Sequence, residues 1–340
     1  MKLKYLFTRR DIESQVFYDI VFEWENILSK QLGLKMYSFD DQMSQLGGGK
    51  YLNISILRKL IRRFSLLKRL CAPNSIGLKF DMNPVTESRY NSEHILPWII
   101  DFFLEDKDFE LFNMAYKKHP LVLISSREIY EKLKSRDDII KDLNCRHVAL
   151  SISDKYRINR DTRFEKEYDV ALMGRTNPVL EKYFYQYAAS HPSLKYAYRK
   201  IEGEDFNYYA VKDGKETYIG AINSREQYID LMRKTRIGLY CTPDIDTDHT
   251  RSHGYNQVTP RFLEWLSCGA HVIARYVPNP DTEYYRLQDF SEPIETYDQF
   301  EKAMDYAMTH EVDMEKYANY LMQHYTSVRA QEIKRIISEL

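Results

Sequence analysis

The stretch that decides the fold runs from Ile237 to Tyr276 and reads IGLYCTPDIDTDHTRSHGYNQVTPRFLEWLSCGAHVIARY. It opens with an apolar run, Ile237–Cys241, which is typical of a buried parallel strand. Thr242–Val258 is polar and predicts a long loop, Pro260–Cys268 predicts a short helix, and Ala270–Tyr276 predicts the next strand. The succession of strand, loop, helix and strand indicates an α/β protein.

The helix in this stretch has signals at both ends. Thr259 is a good N-cap, Pro260 stands at the first helical position, where its missing N–H costs nothing, and Gly269 is a natural stop. The loop before the helix is longer than an ordinary connection, and it leads from the carboxyl end of a strand to a helix N-terminus. Because open α/β sheets bind ligands at this position, we expect the loop to form a wall of the active site.

The strand, the polar loop and the segment RFLEWLSCGAHVIARY together resemble the C-terminal donor-binding domain of GT-B glycosyltransferases. The closest likenesses are glycosyltransferase family 4 and the CgeB-like glycosyl transferases group 1. The resemblance implies two Rossmann-like α/β domains facing a cleft, with Glu264 in contact with the ribose of a nucleotide sugar. Family 4 has a second Glu, and Asn256 stands at its position here. Whether the reaction retains or inverts the anomeric carbon therefore stays open.

Length and charge limit the remaining possibilities. The 340 residues predict two domains, 1–155 and 156–327. The resemblance implies that the first domain binds the acceptor and the second binds the donor. The resemblance implies that a C-terminal helix at about 328–340 packs back on the first domain. A net charge of −1, with 44% hydrophobic and 29% charged residues, is ordinary for a globular protein and argues against nucleic acid as a partner.

The cysteines and the N-terminus indicate the compartment. Cys71, Cys145, Cys241 and Cys268 form no CxxC pair, which predicts reduced thiols rather than disulfides or zinc ligands. The first residues hold no apolar run of signal-peptide length, and no stretch approaches about 18 apolar residues. We therefore expect a cytoplasmic protein.

Residues 51–70 predict a basic amphipathic helix. Apolar residues recur at helical spacing, namely Leu57, Leu60, Ile61, Phe64 and Leu67. The basic residues between Lys50 and Arg69 are interrupted by no acidic one. Such a helix either lies on an anionic membrane surface or packs on its domain with a solvated basic face. The first alternative would place the enzyme peripherally on the inner face of the plasma membrane, which would suit a lipid-linked acceptor.

The first domain alternates between strand and helix patterns, which favours a Rossmann-like fold. The predicted strands are Leu3–Thr8, Leu34–Phe39, Ile76–Met82, Leu96–Leu104, Leu121–Ser125 and His147–Ile152, and the predicted helices include Asp11–Leu32 and Ser126–Lys134. His94 and Asp101 lie near strand ends, where an inverting reaction would need its base, but each is more often structural. The charged stretch Ser153–Glu167 predicts the linker between the domains.

The second domain is expected to begin with a strand at Tyr168–Met173, followed by Gly174 and Arg175 on a turn. Asn177 as N-cap then begins a helix, Pro178–Ser190. A cation beside a helix N-terminus makes a competent diphosphate site, and the resemblance agrees, because GT-B donor domains open with a strand, a Gly and a basic residue. We therefore expect Arg175 to bind the donor diphosphate.

A hairpin or a pair of sheet strands follows. Phe206–Val211 and Glu216–Ala221 flank the turn Asp213-Gly214, and Ser224 begins a capping box for the next helix. In the resembling enzymes this segment borders the nucleobase. That role carries over to Tyr218, Ile219 and Gly220.

The end of the long loop and the following helix supply the remaining candidates. His253 could donate to a sugar hydroxyl or phosphate. Arg261 would balance the diphosphate while Glu264 accepts from ribose hydroxyls; the alternative is a salt bridge between these two residues, three apart on one helix. The predicted donor-binding residues are Gly174, Arg175, Tyr218, Ile219, Gly220, Tyr255, Asn256, Thr259, Arg261 and Glu264, and the predicted catalytic residues are His253, Arg175 and Arg261.

The loop also carries acidic residues, Asp244, Asp246 and Asp248, followed by His249. Carboxylates two residues apart can hold a divalent cation that bridges a diphosphate. The alternative is a solvated acidic loop. We expect no obligatory metal and no cofactor.

The sequence thus predicts a glycosyltransferase that moves a sugar, hexosyltransferase-like, from a nucleotide-sugar donor to a glycan or lipid-linked acceptor in surface polysaccharide synthesis. It would act chiefly by neutralising the leaving diphosphate. Two alternatives stay open. One is a metal-dependent transferase using Asp244–Asp248, and the other is a non-catalytic nucleotide-sugar or sugar-binding module, which Asn256 favours.

Overall fold

A computed structural model describes residues 2–10, 13, 18–38, 75–87, 92–136, 142–174, 176–202, 205–247 and 252–340. The chain divides into two compact units. Unit 1 comprises Met1–Ala149 with Arg329–Leu340, and unit 2 comprises Leu150–Val328. Among the described residues, each unit has a six-stranded sheet with helices, so the predicted pair of α/β folds is confirmed. The predicted basic helix at 51–70 lies outside the described residues.

Unit 1 has a fully parallel sheet. Its strands are β1 (Lys2–Thr8), β2 (Lys35–Ser38), β3 (Ser75–Asp81), β4 (Ile95–Ile99), β5 (Val122–Ile124) and β6 (Cys145–His147), in the order β2-β1-β3-β4-β5-β6. Its helices are α1 (Asp19–Leu32), α2 (Phe109–Tyr116) and α3 (Arg127–Ser135). Burial of aromatic rings joins α1 to the sheet, since Trp24 on α1 lies 5.9 Å from Phe80 and 6.4 Å from Trp98 between ring centroids.

Two strands of unit 1 are shorter than predicted. The strand expected at Leu96–Leu104 ends at Ile99, because the apolar residues beyond it pack in a loop, where Phe102 lies edge-on to Phe112. The strand expected at His147–Ile152 ends at His147. The apolar residues that follow are buried through other contacts, and Ile152 forms an isolated bridge with Tyr325. The apolar runs therefore predicted the buried segments correctly but overestimated the lengths of these two strands.

Unit 2 has a sheet with a parallel half and an antiparallel half. Its strands are β7 (Tyr168–Leu172), β8 (Tyr196–Glu202), β9 (Asp205–Lys212), β10 (Lys215–Ala221), β11 (Thr235–Cys241) and β12 (His271–Arg275), in the order β10-β9-β8-β7-β11-β12. β8, β7, β11 and β12 are parallel, whereas β9 and β10 form an antiparallel hairpin beyond β8. The hairpin turns at Asp213 and Gly214, both with positive φ (51° and 71°), as the Asp-Gly pair predicts.

The helices of unit 2 follow the predicted caps closely. They are α4 (Pro178–Ser190), α5 (Arg225–Arg233), α6 (Arg261–Ser267), α7 (Pro280–Tyr284), α8 (Tyr297–Thr309), α9 (Met314–Leu321) and α10 (Thr326–Ser338), the last of which continues into unit 1. Asn177 caps α4 by accepting from the N–H groups of Val179 and Leu180, each at 3.0 Å. α6 differs, because Pro260 rather than Thr259 is its N-cap residue.

A glycine lets α6 pack directly on β11. A Cβ on Gly238 would lie 2.1 Å from Trp265 Cδ2, and Trp265 is fully buried. The indole ring therefore occupies the space above Gly238, which fixes the distance between the helix and the strand. This contact positions the first turn of α6 near the carboxyl end of the sheet.

The stretch predicted as a linker, Ser153–Glu167, is part of unit 2. Tyr156 is 2% exposed, and Lys166 donates to three carbonyl oxygens of the same unit. Unit 2 begins as early as Leu150, because Ser151 pairs with Thr326 at 3.0 Å. The charged composition of this stretch predicted a solvent-exposed linker, but its long side chains make tertiary contacts. In the described ranges, no helix is long and apolar enough to cross a membrane.

Candidate functional site

The order of strands in unit 2 reverses at β7. The chain passes from β7 through α4 to β8 on one side, and it returns after the hairpin to β11 on the other side of β7. Open α/β sheets bind ligands outside the carboxyl ends of their strands at such a reversal. A shallow depression lies at this position, and Met173, Asn177 and Tyr240 are among its lining residues.

Gly174 and Arg261 meet at the carboxyl end of β7. Gly174 has a left-handed backbone, with φ 68°, and a Cβ at this residue would lie 2.2 Å from Nη2 and 2.6 Å from Cζ of Arg261. The guanidinium therefore packs on the Cα of Gly174, in space that any other residue would fill. Two of the residues predicted from sequence to bind the donor are thus brought together.

Two tyrosines surround this pair. The guanidinium of Arg261 lies against the hydroxyl of Tyr228 on α5, and the backbone N–H of Gly174 lies against the hydroxyl of Tyr208 on β9. Burial raises the pKa of Tyr208 to about 12, and it also raises the pKa of Tyr228, so both phenols are neutral near pH 7. Burial opposes the charge of Arg261, but Tyr228 and its other neighbours hold the pKa of the guanidinium above its usual value.

Glu264, one turn along α6, pairs with an arginine of another helix and not with Arg261, the partner that the alternative interpretation gave it. Its Oε1 lies 2.5 Å from Nη2 of Arg225, the first residue of α5. The two side chains are 4% and 12% exposed, so the ion pair is largely removed from water. The intrahelical pair of Arg261 and Glu264 that sequence spacing allowed is therefore replaced by a bridge between α5 and α6, with Arg261 directed at Gly174.

The N-terminus of α4 lies on the same edge of the sheet. Arg175, the predicted diphosphate ligand, lies outside the described residues. Asn177 uses its side-chain oxygen to cap α4, and its amide nitrogen donates at 2.9 Å both to the carbonyl of Ile245 and to Oδ2 of Asp246. The acidic loop is therefore fastened to the start of α4.

The loop that follows β11 has a strained backbone. Asp244, Asp246 and His253 have positive φ, at 60°, 58° and 50°. Non-glycine residues adopt this conformation rarely, and it is found preferentially at functional sites. Asp244 Oδ2 accepts from the N–H of Ser252 at 2.6 Å, which closes the loop on itself.

Asp246 is engaged in a bidentate contact with Arg275 at the end of β12. Nη2 of Arg275 donates to Oδ1 at 2.8 Å, and its Nε donates to Oδ2. The Arg275 hydrogen bonds lower the pKa of the Asp246 carboxyl. Within the described residues, no group of three His, Cys, Asp or Glu side chains could hold a metal ion. Asp248 and His249 of the same loop lie outside those residues.

The other loop candidates have mainly structural contacts. His253 is exposed, whereas Tyr255 is buried and donates its N–H to the Ser252 carbonyl at 2.9 Å. Asn256 accepts from Thr242 Oγ1 at 3.3 Å and donates to the Gly254 carbonyl at 3.0 Å.

Thr259 is the last loop candidate, and it lies just before α6. Its N–H donates to the Tyr240 hydroxyl at 3.0 Å, so it ties the loop to β11 instead of capping α6 through its side chain. The loop is thus held at both ends by contacts of its own residues.

Tyr218, Ile219 and Gly220 lie on β10, the outer strand of the sheet. Two strands, β8 and β9, separate β10 from β7, and Tyr218 and Ile219 are 54% and 38% exposed. The structure therefore does not bring these three residues to Gly174 and Arg261. The hairpin instead carries β10 to the outer edge of the sheet.

The residues around the Gly174–Arg261 contact form a cluster at the carboxyl end of β7. Besides Gly174, Arg261 and Glu264, it contains three residues that sequence reasoning missed, namely Arg225, Tyr228 and Tyr208. Arg225 and Tyr228 lie three residues apart on α5, directly after the Ser224 cap, so they share a helix face. This spacing is evident in the sequence, but it does not indicate that this face of α5 packs against α6. Tyr208 lies on β9 between residues that point outwards. Only 2% of it is exposed, and this burial depends on the packing of the hairpin.

Residues 190–335 match the family model described as glycosyl transferase-like, a region that includes Tyr208, Arg225, Tyr228, Arg261 and Glu264. No curated protein sequence matches the chain.

Solved structures align with nearly the whole chain at low identity. The glycotransferase of kitacinnamycin is 9% identical, covers 98% of both chains and has a TM-score of 0.47. Sucrose-phosphate synthase from Thermosynechococcus elongatus is 11% identical, covers 97% of this chain and 79% of its own, and has a TM-score of 0.49. The lipopolysaccharide outer core galactosyltransferase WaaB in its apo form is 11% identical, covers both chains fully and has a TM-score of 0.42.

The family match confirms the resemblance that the segment after the long loop predicts, and it covers the helices that carry the cluster. The non-catalytic alternative is set aside with it. Residues 190–335, most of which lie in unit 2, thus form a glycosyl transferase-like region, and this match supports a glycosyltransferase enzyme.

Proposed function

We propose that this enzyme takes its sugar from a nucleotide-sugar donor, whose diphosphate binds at the carboxyl end of β7 against Arg261. The observation that carries the proposal is the packing of the Arg261 guanidinium on Gly174. A diphosphate needs a close approach to the backbone and a fixed cation with several N–H donors. Gly174 supports the first requirement and Arg261 the second, at the reversal point of the sheet.

The ribose of the donor is assigned to Glu264 in this proposal. Its carboxylate is fixed by Arg225, and it lies one helical turn from Arg261, so ribose and diphosphate could be bound by neighbouring residues. A carboxylate accepts hydrogen bonds from two vicinal hydroxyls without a change of protonation. Tyr255, Asn256 and Thr259 would shape the loop beside the donor, and His253 would donate to the sugar or a phosphate.

Catalysis in this proposal is electrostatic. The leaving nucleoside diphosphate gains charge as the bond to the anomeric carbon breaks, and a guanidinium fixed in advance stabilises that charge more than it stabilises the ground state. No metal is obligatory in the proposal. Support comes from Asp246, whose carboxylate oxygens are both in contact with Arg275.

The acceptor is proposed to be a glycan, free or linked to a lipid carrier. A lipid-linked acceptor would require the enzyme at the cytoplasmic membrane surface, and residues 51–70 are the proposed contact. Co-sedimentation with vesicles that contain anionic lipid, compared with neutral vesicles, tests this assignment. Equal sedimentation with both would argue for a soluble acceptor.

Donor binding can be tested by thermal shift. The panel contains UDP, GDP, dTDP, CMP and ADP, each with EDTA and with added Mn²⁺. A ligand at tenfold excess over its Kd stabilises the folded protein by roughly 1.4 kcal/mol, which is measurable. A shift that persists in EDTA supports the proposal and identifies the nucleotide. A shift seen only with Mn²⁺ would favour the metal-dependent alternative at Asp244–Asp248, and no shift would reject Arg261 and Glu264 as donor residues.

A further inference from the structure

The helix α5 contacts both halves of the proposed donor site, although none of its residues is expected to touch the donor. Tyr228 reaches Arg261, and Arg225 reaches Glu264. Both side chains leave the same face of α5, because they are three residues apart. One short helix therefore lies behind the cation and the carboxylate together.

The contact of Tyr228 restricts a side chain that is otherwise flexible. An arginine side chain loses rotamer entropy when it binds a phosphate in one geometry. Here the guanidinium is confined between the Cα of Gly174 and the hydroxyl of Tyr228. The N–H of Gly174 is in turn held by Tyr208, so the backbone at this point is fixed as well.

The contact of Arg225 acts on the carboxylate. Glu264 is 3% exposed, and an uncompensated carboxylate at that depth would be unfavourable. Arg225 Nη2 lies 2.5 Å from Glu264 Oε1 and compensates the charge of the carboxylate, so Arg261 is not needed for this purpose. The two arginines thus have separate partners, which keeps Arg261 from collapsing onto Glu264.

We propose that Tyr228 and Arg225 are positioning residues of the donor site: Tyr228 holds the Arg261 guanidinium over Gly174 for the diphosphate, and Arg225 holds Glu264 for the ribose. This inference rests on the proposed function, because it presumes a nucleoside diphosphate as the ligand. It predicts that substitutions on α5 have different effects on the two parts of that ligand. Tyr228 serves the diphosphate, whereas Arg225 serves the nucleoside.

The test measures dissociation constants by calorimetry for the nucleoside diphosphate that gives the largest thermal shift and for its nucleoside. Loss of a hydrogen bond to a charged group corresponds to about a tenfold weakening. Tyr228→Phe should raise Kd for the diphosphate about tenfold and leave Kd for the nucleoside within about twofold. Arg225→Gln should raise both by about the same factor.

A double-mutant cycle tests whether Tyr228 acts through Arg261. Arg261→Lys alone should weaken diphosphate binding, and adding Tyr228→Phe to it should have little further effect, because the geometry that Tyr228 maintains is already lost. A purely structural role for Tyr228 would instead give additive effects. Tyr306→Phe is the matched control, since Tyr306 on α8 is 58% exposed and outside the site, and it should bind like the wild type.

Tyr208→Phe is a second variant that acts on the Gly174 side of the same contact, in case Tyr228→Phe folds poorly. It should weaken diphosphate binding with the same selectivity. Unchanged affinity in both variants, or equal weakening for diphosphate and nucleoside, would overturn the inference. The proposed function fails separately, if the wild-type enzyme binds no nucleoside diphosphate or if Arg261→Lys leaves binding intact.

Discussion

The guanidinium of Arg261 packs so closely on Gly174 that a Cβ at residue 174 would lie only 2.2 Å from its Nη2. Arg261 can therefore occupy this position only because residue 174 has no side chain. Gly174→Ala should therefore expel the guanidinium from the carboxyl end of β7. If Arg261 binds the donor diphosphate, the Kd for the nucleoside diphosphate should rise at least about tenfold. Calorimetric titration of the variant measures this loss.

Gly214→Ala is the matched control for that variant. Gly214 has nearly the same φ, 71° against 68°, but its Cβ position has no atom of a described residue within 4 Å apart from its chain neighbours. Both variants should lose about 1 kcal/mol of stability from left-handed strain, and only Gly174→Ala should also lose donor affinity. Equal affinity in the two variants would show that Arg261 has no role in binding.

The ion pair of Glu264 and Arg225 makes a second prediction, about stability. Removing one member of a buried pair leaves a charge without compensation, so Glu264→Gln should lower the free energy of unfolding by about 3 kcal/mol. Urea denaturation measures the change. Glu216→Gln is the control, because its pair with Lys200 has side chains 41% and 37% exposed and should contribute no measurable stability. A small effect at both positions would mean that water screens the α5–α6 bridge.

Local signals predicted the elements of unit 2 well. Asn177 followed by Pro178 predicted both the first residue and the cap of α4, and Asp213-Gly214 predicted the hairpin turn. These signals work because they depend on backbone hydrogen bonds and φ within a few residues.

The site was predicted only where its residues are close in sequence. Arg261 and Glu264 were predicted as site residues because they are neighbours on one helix. In the structure, Glu264 forms an ion pair with Arg225, whereas Arg261 packs on Gly174. Such pairings depend on how α5 packs against α6, which spacing within one helix does not contain. Tyr218 shows the converse, because the resemblance implied a place beside the nucleobase, whereas the hairpin carries its strand to the edge of the sheet.

His147 makes a third prediction, on the acid stability of unit 1. Burial, with Arg127 and Arg329 nearby, lowers the pKa of His147 to about 3, and its Nε2 donates to the Ser125 carbonyl at 3.2 Å. The unfolded chain binds a proton near pH 6.5, so between about 6.5 and 3 the unfolded state holds more protons and stability falls as pH falls.

His147→Gln removes this titration and can still donate to the carbonyl. The difference in unfolding free energy between wild type and variant should therefore change with pH, by up to about 1.4 kcal/mol per pH unit near pH 5, in favour of the variant as acid is added. Urea denaturation at pH 5 and pH 7.5 gives the two differences. A constant difference would mean that His147 is protonated in the folded state as readily as in the unfolded state.

Lys166 joins the ends of the two helices that carry the cluster, and it makes the last prediction. Its ammonium donates to the carbonyls of Arg233 at 3.0 Å, Thr235 at 2.8 Å and Cys268 at 2.8 Å, at the C-terminal ends of α5 and α6. A cation at helix C-termini satisfies carbonyls that have no partner within the helix. Lys166→Met should therefore lower the free energy of unfolding at pH 7 by about 1–3 kcal/mol.

The pH dependence of that loss distinguishes a buried ammonium from a solvated one. Burial lowers the pKa of Lys166 to about 8, against an ordinary value of 10.5, so between these values the unfolded state binds more protons and stability rises with pH. The difference between wild type and Lys166→Met should thus be larger at pH 9.5 than at pH 7. Because α5 and α6 also hold Tyr228 and Arg261, donor affinity should fall with stability in this variant. A loss that is independent of pH would place the ammonium in water and leave the helix ends to be held by packing alone.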